Sequence, residues 1–379
     1  MPPIATGVTD YTIQLDTIRS GFVPTQPHCW VHSRVGVVPG KVPKIIVTMQ
    51  ELLLSGMDIF GSLHEMSTSD LGRSWAGPTE RAALGLRSTR EDVRTGVCDF
   101  TPAWHEASGK LLGIGIAKAY KGEEHHPLPY QIAYSAYDAD TQQWAEWAVM
   151  DAPSEFIVAA AGCTQRVDLQ DGHVLLPVYC LKSTSPYFCS TIMKCSFDGK
   201  ELRYVEHGPE LTIARGRGYY EPSLTKYGSD YFLTLRADDH GAVARSKDGQ
   251  HFTEPQMWSW DDGSMVPTYN TQQHWVTHSN GLFLVYTRKA DNNGHVFRHR
   301  APLFMAEVDP NRMCLIRATE KILVPERGAR LCNFGVVNVN EEETWITVCE
   351  WMQKAGCEQY GSDNSTFAAR IIWDRPNDI

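Results

Sequence analysis

One unit recurs through this chain: a polar or charged start, an apolar strand, a short turn, then a second, more apolar strand. Six segments carry it, at 30–50, 101–117, 164–180, 221–236, 274–287 and 333–350. Their turns read Pro39-Gly40, Ser108-Gly109, Asp171-Gly172, Gly228-Ser229, Ser279-Asn280 and Asn340-Glu341. Units repeated every roughly 50–70 residues must stack on one another to bury their faces. Radial stacking of four-stranded antiparallel sheets makes a β-propeller, with the first strand of each unit lining a central channel. The spacing predicts an all-β, six-bladed β-propeller, or seven blades if the segment 76–97 hides further strands. A strand-like run at 10–18 is left over. It is predicted to pair with 368–373 in the last blade, closing the ring and removing an exposed edge. No Pro/Gly/Ser linker divides the chain, so 1–379 is read as a single propeller domain.

The best-formed unit lies within 215–253. Two β-rich runs flank the turn signal Tyr227-Gly228-Ser229-Asp230. A turn centred between Gly228 and Ser229 sets Glu221 opposite Arg236, a carboxylate facing a guanidinium across two strands. The plain reading is an ion pair pinning the hairpin. Burying such a pair on innermost strands without further partners is costly, which favours a functional role. A second motif, Thr68-Ser69-Asp70-Leu71-Gly72-Arg73-Ser74-Trp75, returns in shorter form from Ser246 to Phe252 and weakly at Ser196-Phe197-Asp198-Gly199. The Asp caps its own turn, the Gly takes a positive φ and the aromatic plugs the sheet. These turns are structural and sit at outer strand ends.

A formal net charge of −10 disfavours nucleic acid and anionic membrane as partners. It leaves room for an acidic small substrate, because a local arginine cluster can override the global sign. No apolar run reaches the roughly 20 residues that span a bilayer. The first residues lack a charged and then apolar leader, so the chain is expected to be cytoplasmic as it stands, or secreted if it is a mature form. The ten cysteines form no CxxC pair and fall in apolar runs, as buried free thiols do. No metal site is read, and no cofactor. A structural calcium is compatible with a propeller channel, but no ligand loop is legible.

The Thr68–Trp75 motif is an Asp-box, and with the repeat and the Glu–Arg hairpin it resembles the sialidase (neuraminidase) superfamily. The resemblance covers most of the chain as architecture. It implies that Arg34, in Ser33-Arg34-Val35-Gly36-Val37-Val38-Pro39, stands where the first substrate-carboxylate arginine does. Asp58 takes the place of the acid/base aspartate, and Glu221 and Arg236 match the family glutamate and second arginine. The pattern breaks in the last unit, where Gly328-Ala329-Arg330-Leu331-Cys332-Asn333-Phe334-Gly335 has Asn333 or Phe334 in place of the nucleophilic tyrosine. The third arginine has no clear match. His274 or Gln273 starts its strand, and Arg330 is a substitute candidate. A weaker resemblance runs to propeller polysaccharide lyases of the rhamnosyl-glucuronate and ulvan type, which use His, Tyr and Arg on the channel face. Arg166 and Tyr179 share one hairpin here, and His28, His32, His64, His105 and His274 are channel-side.

The expected function is cleavage of a glycosidic bond at a terminal acidic sugar, uronic or sialic-like, by an exo-acting hydrolase without the usual tyrosine. Arg34, Arg236 and Arg330 would hold the carboxylate, Asp58 would protonate the leaving oxygen and Glu221 would support it. In the lyase alternative His105 or His64 abstracts a proton from a uronate. A second alternative is a non-catalytic glycan-binding propeller. Trp104, Tyr219 and Tyr220 could stack on a sugar face. The basic cluster Arg298-His299-Arg300 is read as structural or at the rim.

Overall fold

The computed structural model describes residues 10–56, 58–90 and 92–378. They form six antiparallel sheets, taken in chain order. The first holds His28–Val38, Lys44–Leu53, Phe60–Thr68 and Ala76–Glu80. The second is built on Val93–His105, Lys110–Lys121 and Gln131–Asp138, and the third on Phe156–Ala160, His173–Lys182, Cys189–Phe197 and Leu202–His207. The fourth holds Tyr220–Tyr227, Asp230–Arg236, Gly241–Ser246 and Gln256–Met257. The fifth contains His274–His278, Gly281–Tyr286 and Leu303–Asp309. The sixth joins Arg330–Leu331, Gly335–Asn338, Glu343–Trp351 and Thr366–Trp373 to the N-terminal strand Tyr11–Arg19. Tyr11 lies opposite Trp373 and Thr17 opposite Phe367, so the two chain ends pair.

The arrangement is that of a β-propeller with five regular blades, against six expected and seven as the alternative. Breaks in innermost strands blur the count. In the sixth sheet that strand is two short pieces on either side of Cys332–Phe334, and in the third sheet Val167–Asp168 is separated from Phe156–Ala160. The segment 76–97 does contain strands, but Ala76–Glu80 belongs to the first sheet and Arg87–Arg90 to the second. Inner strands of neighbouring sheets pack on one another, and His28–Val38 of the first also packs on Gly335–Asn338 of the sixth.

The inter-sheet layers are apolar and dense. Trp258, Trp275 and Trp345 are fully buried in them. All ten cysteines are buried and unpaired. Asn364, which opens an Asn-Ser-Thr sequon, is buried and donates to the Trp30 and Glu350 carbonyls, so its amide is committed to the fold. No helix among the described residues is long and apolar enough to cross a membrane.

The Thr68–Trp75 turn shows why its residues are needed. Asp70 accepts from the Ser74 hydroxyl at 2.6 Å, the Thr68 hydroxyl at 2.7 Å and the Ser74 amide at 3.0 Å. These hydrogen bonds, led by Ser74, hold its carboxyl down at about 2. Gly72 has φ 82°, and a Cβ there would sit 2.9 Å from the Trp345 indole of the sixth sheet. Trp75 packs on the same indole with ring centroids 6.3 Å apart. Gly72→Ala combines backbone strain with a clash across this joint. It is expected to cost about 1–3 kcal/mol, read as a lower urea midpoint at unchanged m-value.

Candidate functional site

Five residues near the channel mouth, one leading into or lying on the inner strand of each of five sheets, adopt left-handed backbone conformations. They are His32 (φ 57°), Asp99 (50°), Cys163 (61°), Glu221 (46°) and Asn270 (44°). The sixth sheet contributes Asn333. A left-handed non-glycine residue costs of order 1–3 kcal/mol and persists only where the surroundings over-determine it. In a strand it acts as a bulge, interrupting the pairing and re-aiming a side chain. The pairing shifts between Val31 and Arg34, between Cys98 and Thr101, and between Tyr220 and Ser223.

The fourth sheet shows the consequence. Ser223 lies opposite Thr234 and Leu224 opposite Leu233, the register expected from the turn. Beyond Ser223 the bulge at Glu221-Pro222 puts Tyr220, not Glu221, opposite Arg236. Pro222 has no N–H to lose, which suits it to a bulge. The Glu221 carboxylate still meets the Arg236 guanidinium in a close ion pair, now projecting at the channel mouth.

These residues interlock. Asn333 Nδ2 donates to Asp99 Oδ1 at 2.8 Å and lies 2.8 Å from Cys163 Sγ. His32 Nδ1 is 3.7 Å from Asp99 and accepts the Asn333 amide at 3.3 Å. Arg236 Nη2 donates to Asn270 Oδ1 at 2.6 Å. Arg300 reaches Asn333 Oδ1 and the Asn270 carbonyl, each at 3.4 Å.

Above them is a cavity of about 160 Å³. Five cations line it, Lys118, Arg217, Arg236, Arg298 and Arg300, against three carboxylates, Asp58, Asp99 and Glu221. Phe60, Ile116, Tyr179 and Trp351 supply its apolar wall. Two of the arginines have acidic partners, Arg236 with Glu221 and Arg217 with Asp238 at 2.7 Å. Arg298 and Arg300 have none within 4 Å among the described residues. Arg300 is only 3% exposed, and its Nε is buried without a hydrogen-bond partner. Burial, reinforced by the Arg236 charge, pulls its guanidinium down to about 10. A buried cation in that state is short of one anion.

Asp99 is in the opposite condition. Burial alone would raise it, but His32, protonated once the pH falls far enough for Asp99 to titrate, the charges of Arg34 and Lys118, and the Asn333 hydrogen bond overrule that and keep it well below the usual carboxylate range. His32 is pushed down to about 4 by burial, against the pull of Asp99. His274 is driven well below its ordinary value by burial and by Arg34. Both rings are therefore neutral in the folded protein at pH 7, whereas an unfolded histidine protonates near 6.5. Between these values the unfolded chain binds more protons, so the stability present above about 6.5 is lost as pH falls toward about 4. The melting temperature is expected to fall across that window, and His32→Gln to flatten the slope. A variant with the slope of the natural protein would refute this.

The structure brings Asp58, Glu221, Arg236 and Tyr179 together at the cavity. His32, read as channel-side, and Asn333, read in the expected tyrosine's place, line it too, and the remaining candidate site residues lie elsewhere. Arg34 is fully buried beneath the cavity, 3.1 Å from His274 Nε2 and 3.5 Å from Asp99. The bulge at His32 presents His32 rather than Arg34 to the opening. His274 is held there by Arg34 and by Ser223 Oγ at 2.9 Å. Tyr220 stands behind Arg236, whose guanidinium lies 4.7 Å from its ring, and its hydroxyl bonds Asp238 and Asn270. Arg166 is bound to Asp168 and to the Leu112 and Ala103 carbonyls, in a separate hollow. His105 is buried between Ser108 Oγ and the Gly172 carbonyl, and His64 packs edge-on against Trp30. Arg330 lines a neighbouring groove.

Sequence reading missed Asp99, Lys118, Asn333 as a ligand of Asp99, and the cavity-facing role of Arg298 and Arg300. A signal existed for Asp99: Asp99-Phe100-Thr101 matches Glu221-Pro222-Ser223, an acid two residues before the hydroxyl residue that resumes the strand. No such signal marked Arg300, which enters from the loop after the fifth sheet's second strand.

No family model matches the chain, and no curated protein matches it significantly. Solved structures do. A protein of unknown function from Dyadobacter fermentans superposes with a TM-score of 0.60 at 12% identity, over 95% of this chain and 99% of the other. Trypanosoma rangeli sialidase in complex with the inhibitor DANA gives 0.60 at 13% identity, over 96% of this chain. The chain spans 59% of the length of that sialidase chain. The NanB sialidase from Streptococcus pneumoniae gives 0.60 at 8% identity, over 95% of this chain and 70% of the other. At these identities the likeness is one of fold: the chain has a sialidase-like β-propeller architecture.

Proposed function

We propose that this protein is a glycoside hydrolase acting at a terminal acidic sugar, on a β-propeller closed by the pairing of Tyr11–Arg19 with Thr366–Trp373. The observation that carries the reading is Arg300, a buried guanidinium with no carboxylate partner among the described residues, facing a cavity beside Arg298, which likewise has none there, and the Glu221-bound Arg236. Guanidinium forks are suited to a carboxylate, which they bind bidentately. Glu221 and Asn270 fix the Arg236 fork and so position it, and Glu221 takes no other part.

In this reading Asp58 at the cavity edge is the general acid that protonates the leaving oxygen. Asp99 is held so firmly ionised that it is a weak base, and its role is to stabilise positive charge developing at the anomeric carbon. Neither Asn333 nor Phe334, the two residues in place of the expected tyrosine, can form a stable glycosyl ester or ether. Water is then the nucleophile, and the Tyr179 hydroxyl, which has no hydrogen-bond partner among the described residues, is free to orient it or a sugar hydroxyl.

The test is incubation with sialyl and uronyl oligosaccharides in H₂¹⁸O. Hydrolysis adds one labelled oxygen to the product and creates no chromophore. An unsaturated, ultraviolet-absorbing product would establish elimination instead. Ligand binding that survives Asp58→Asn, with no turnover on any substrate, would establish a non-catalytic glycan-binding protein.

A further inference from the structure

The cavity opens past Asp58 and Arg298 into a groove of about 400 Å³, which both residues also line. Phe297, Arg298, Gln353 and Lys354 continue from it into a further hollow of about 480 Å³. The cavity itself falls below the ~300–1,000 Å³ of typical small-molecule sites and has room for a single ring. Resting on the reading above, the groove leaves on the side of the acid Asp58 and therefore on the side of the leaving group.

The groove holds cations that no carboxylate among the described residues pairs with. Arg330 is 6% exposed, and its Nε is buried without a partner. Its guanidinium is 3.5 Å from the Trp351 ring and 4.8 Å from the Phe297 ring, and Nη2 donates to Gln353 Oε1 at 2.9 Å. Burial, with the Arg300 charge behind it, pulls it down to about 9. Lys354 Nζ stands 5.1 Å from the centroid of the Phe297 ring and has no carboxylate within 4 Å among the described residues. Gln353 also donates to the Leu54 and Gly56 carbonyls at 2.7 and 2.8 Å, tying the groove wall to the loop that carries Asp58. Two cations without a carboxylate partner among the described residues, both beside the Phe297 ring, suit a sugar that carries an anionic substituent.

We propose that this groove is a second subsite for an anionic sugar, so that the substrate is a polyanionic glycan charged on both sides of the scissile bond. The site would accept a carboxylate or a sulfate at that position. The experiment measures dissociation constants in an Asp58→Asn background, which prevents turnover. Two ligand series are used, headed by sialate and by glucuronate, each followed by a neutral hexose, a hexuronate or a sulfated hexose. At least one charged second sugar is expected to bind about tenfold tighter than the neutral one, the effect of one additional partly buried charge contact. Arg330→Gln and the exposed-site variant Lys354→Gln should each bring that ratio toward one, whereas Arg300→Gln should weaken every ligand and leave the ratio intact. Equal affinity for charged and neutral second sugars, or a ratio unmoved by both groove substitutions, overturns the second subsite alone. Failure of every ligand to bind overturns the acidic-sugar reading together with it.

Discussion

Arg300→Met is expected to yield a protein that is more stable than the natural one and binds its acidic ligand roughly a hundredfold more weakly. The two effects have one cause. Arg300 is 3% exposed, has no acidic partner among the described residues and is pulled down to about 10 by burial and by Arg236. Holding that charge in place costs the unliganded fold about 1–4 kcal/mol, and a methionine of similar length removes the cost. The same guanidinium contributes about 2–5 kcal/mol when a carboxylate fills the cavity, because its desolvation has already been met by folding. Arg300→Lys is the control. It keeps the charge without the planar fork, and should recover stability and affinity only in part. Thermal unfolding and titration with sialate and glucuronate, on both variants, read the two effects separately. A destabilised Arg300→Met, or one with undiminished affinity, contradicts the assignment of Arg300 as an anion-binding residue.

Glu221→Ala is expected to move stability the other way, by about 3–5 kcal/mol, the usual cost of stripping one partner from a buried ion pair. Arg236 is 4% exposed, and the Glu221 carboxylate offsets the burial that would otherwise lower it. Asn270 Oδ1 and the Tyr220 ring remain as partial partners, which places the loss toward the lower end of that range. Urea unfolding measures it. Added sialate or glucuronate should restore part of the loss, because a bound carboxylate replaces the missing one. A loss of under half a kcal/mol would show that Glu221 is not what balances Arg236. The two arginines thus lie in one cavity and give opposite responses: the fold supplies Arg236 with its counter-charge and leaves Arg300 to obtain one from a ligand.

Sequence legibility followed from how local each feature is. The hairpins were legible because a turn and two apolar runs are contiguous, and Ser223–Thr234 pairs in the register the Gly228-Ser229 turn dictates. Glu221 and Arg236 were found because they end the same hairpin, although a bulge alters the way they meet. Arg34 was misplaced for the opposite reason. Side chains in a strand alternate faces, so one left-handed residue at His32 reverses which neighbour faces the channel. Nothing in Trp30-Val31-His32-Ser33-Arg34 announces that reversal. Arg330 carries the right chemistry one position off. It opens the first piece of the sixth sheet's broken inner strand and lies over Trp351, in the groove rather than the cavity.

The sequence by itself determined the all-β class, the repeated four-strand unit, the pairing of the chain ends and one buried Glu–Arg pair. Each is a matter of periodicity or of turn chemistry over a few residues. Only the tertiary structure decided which polar residues share a cavity. Arg300 comes from a loop, Asn333 from a gap in a strand and Asp99 from a bulge, at places where the two-residue alternation of a strand no longer predicts side-chain direction. Their charges act on one another across distances that sequence separation does not encode. The unpartnered state of Arg300, on which the functional reading rests, is set by the groups the folded chain leaves out of its reach.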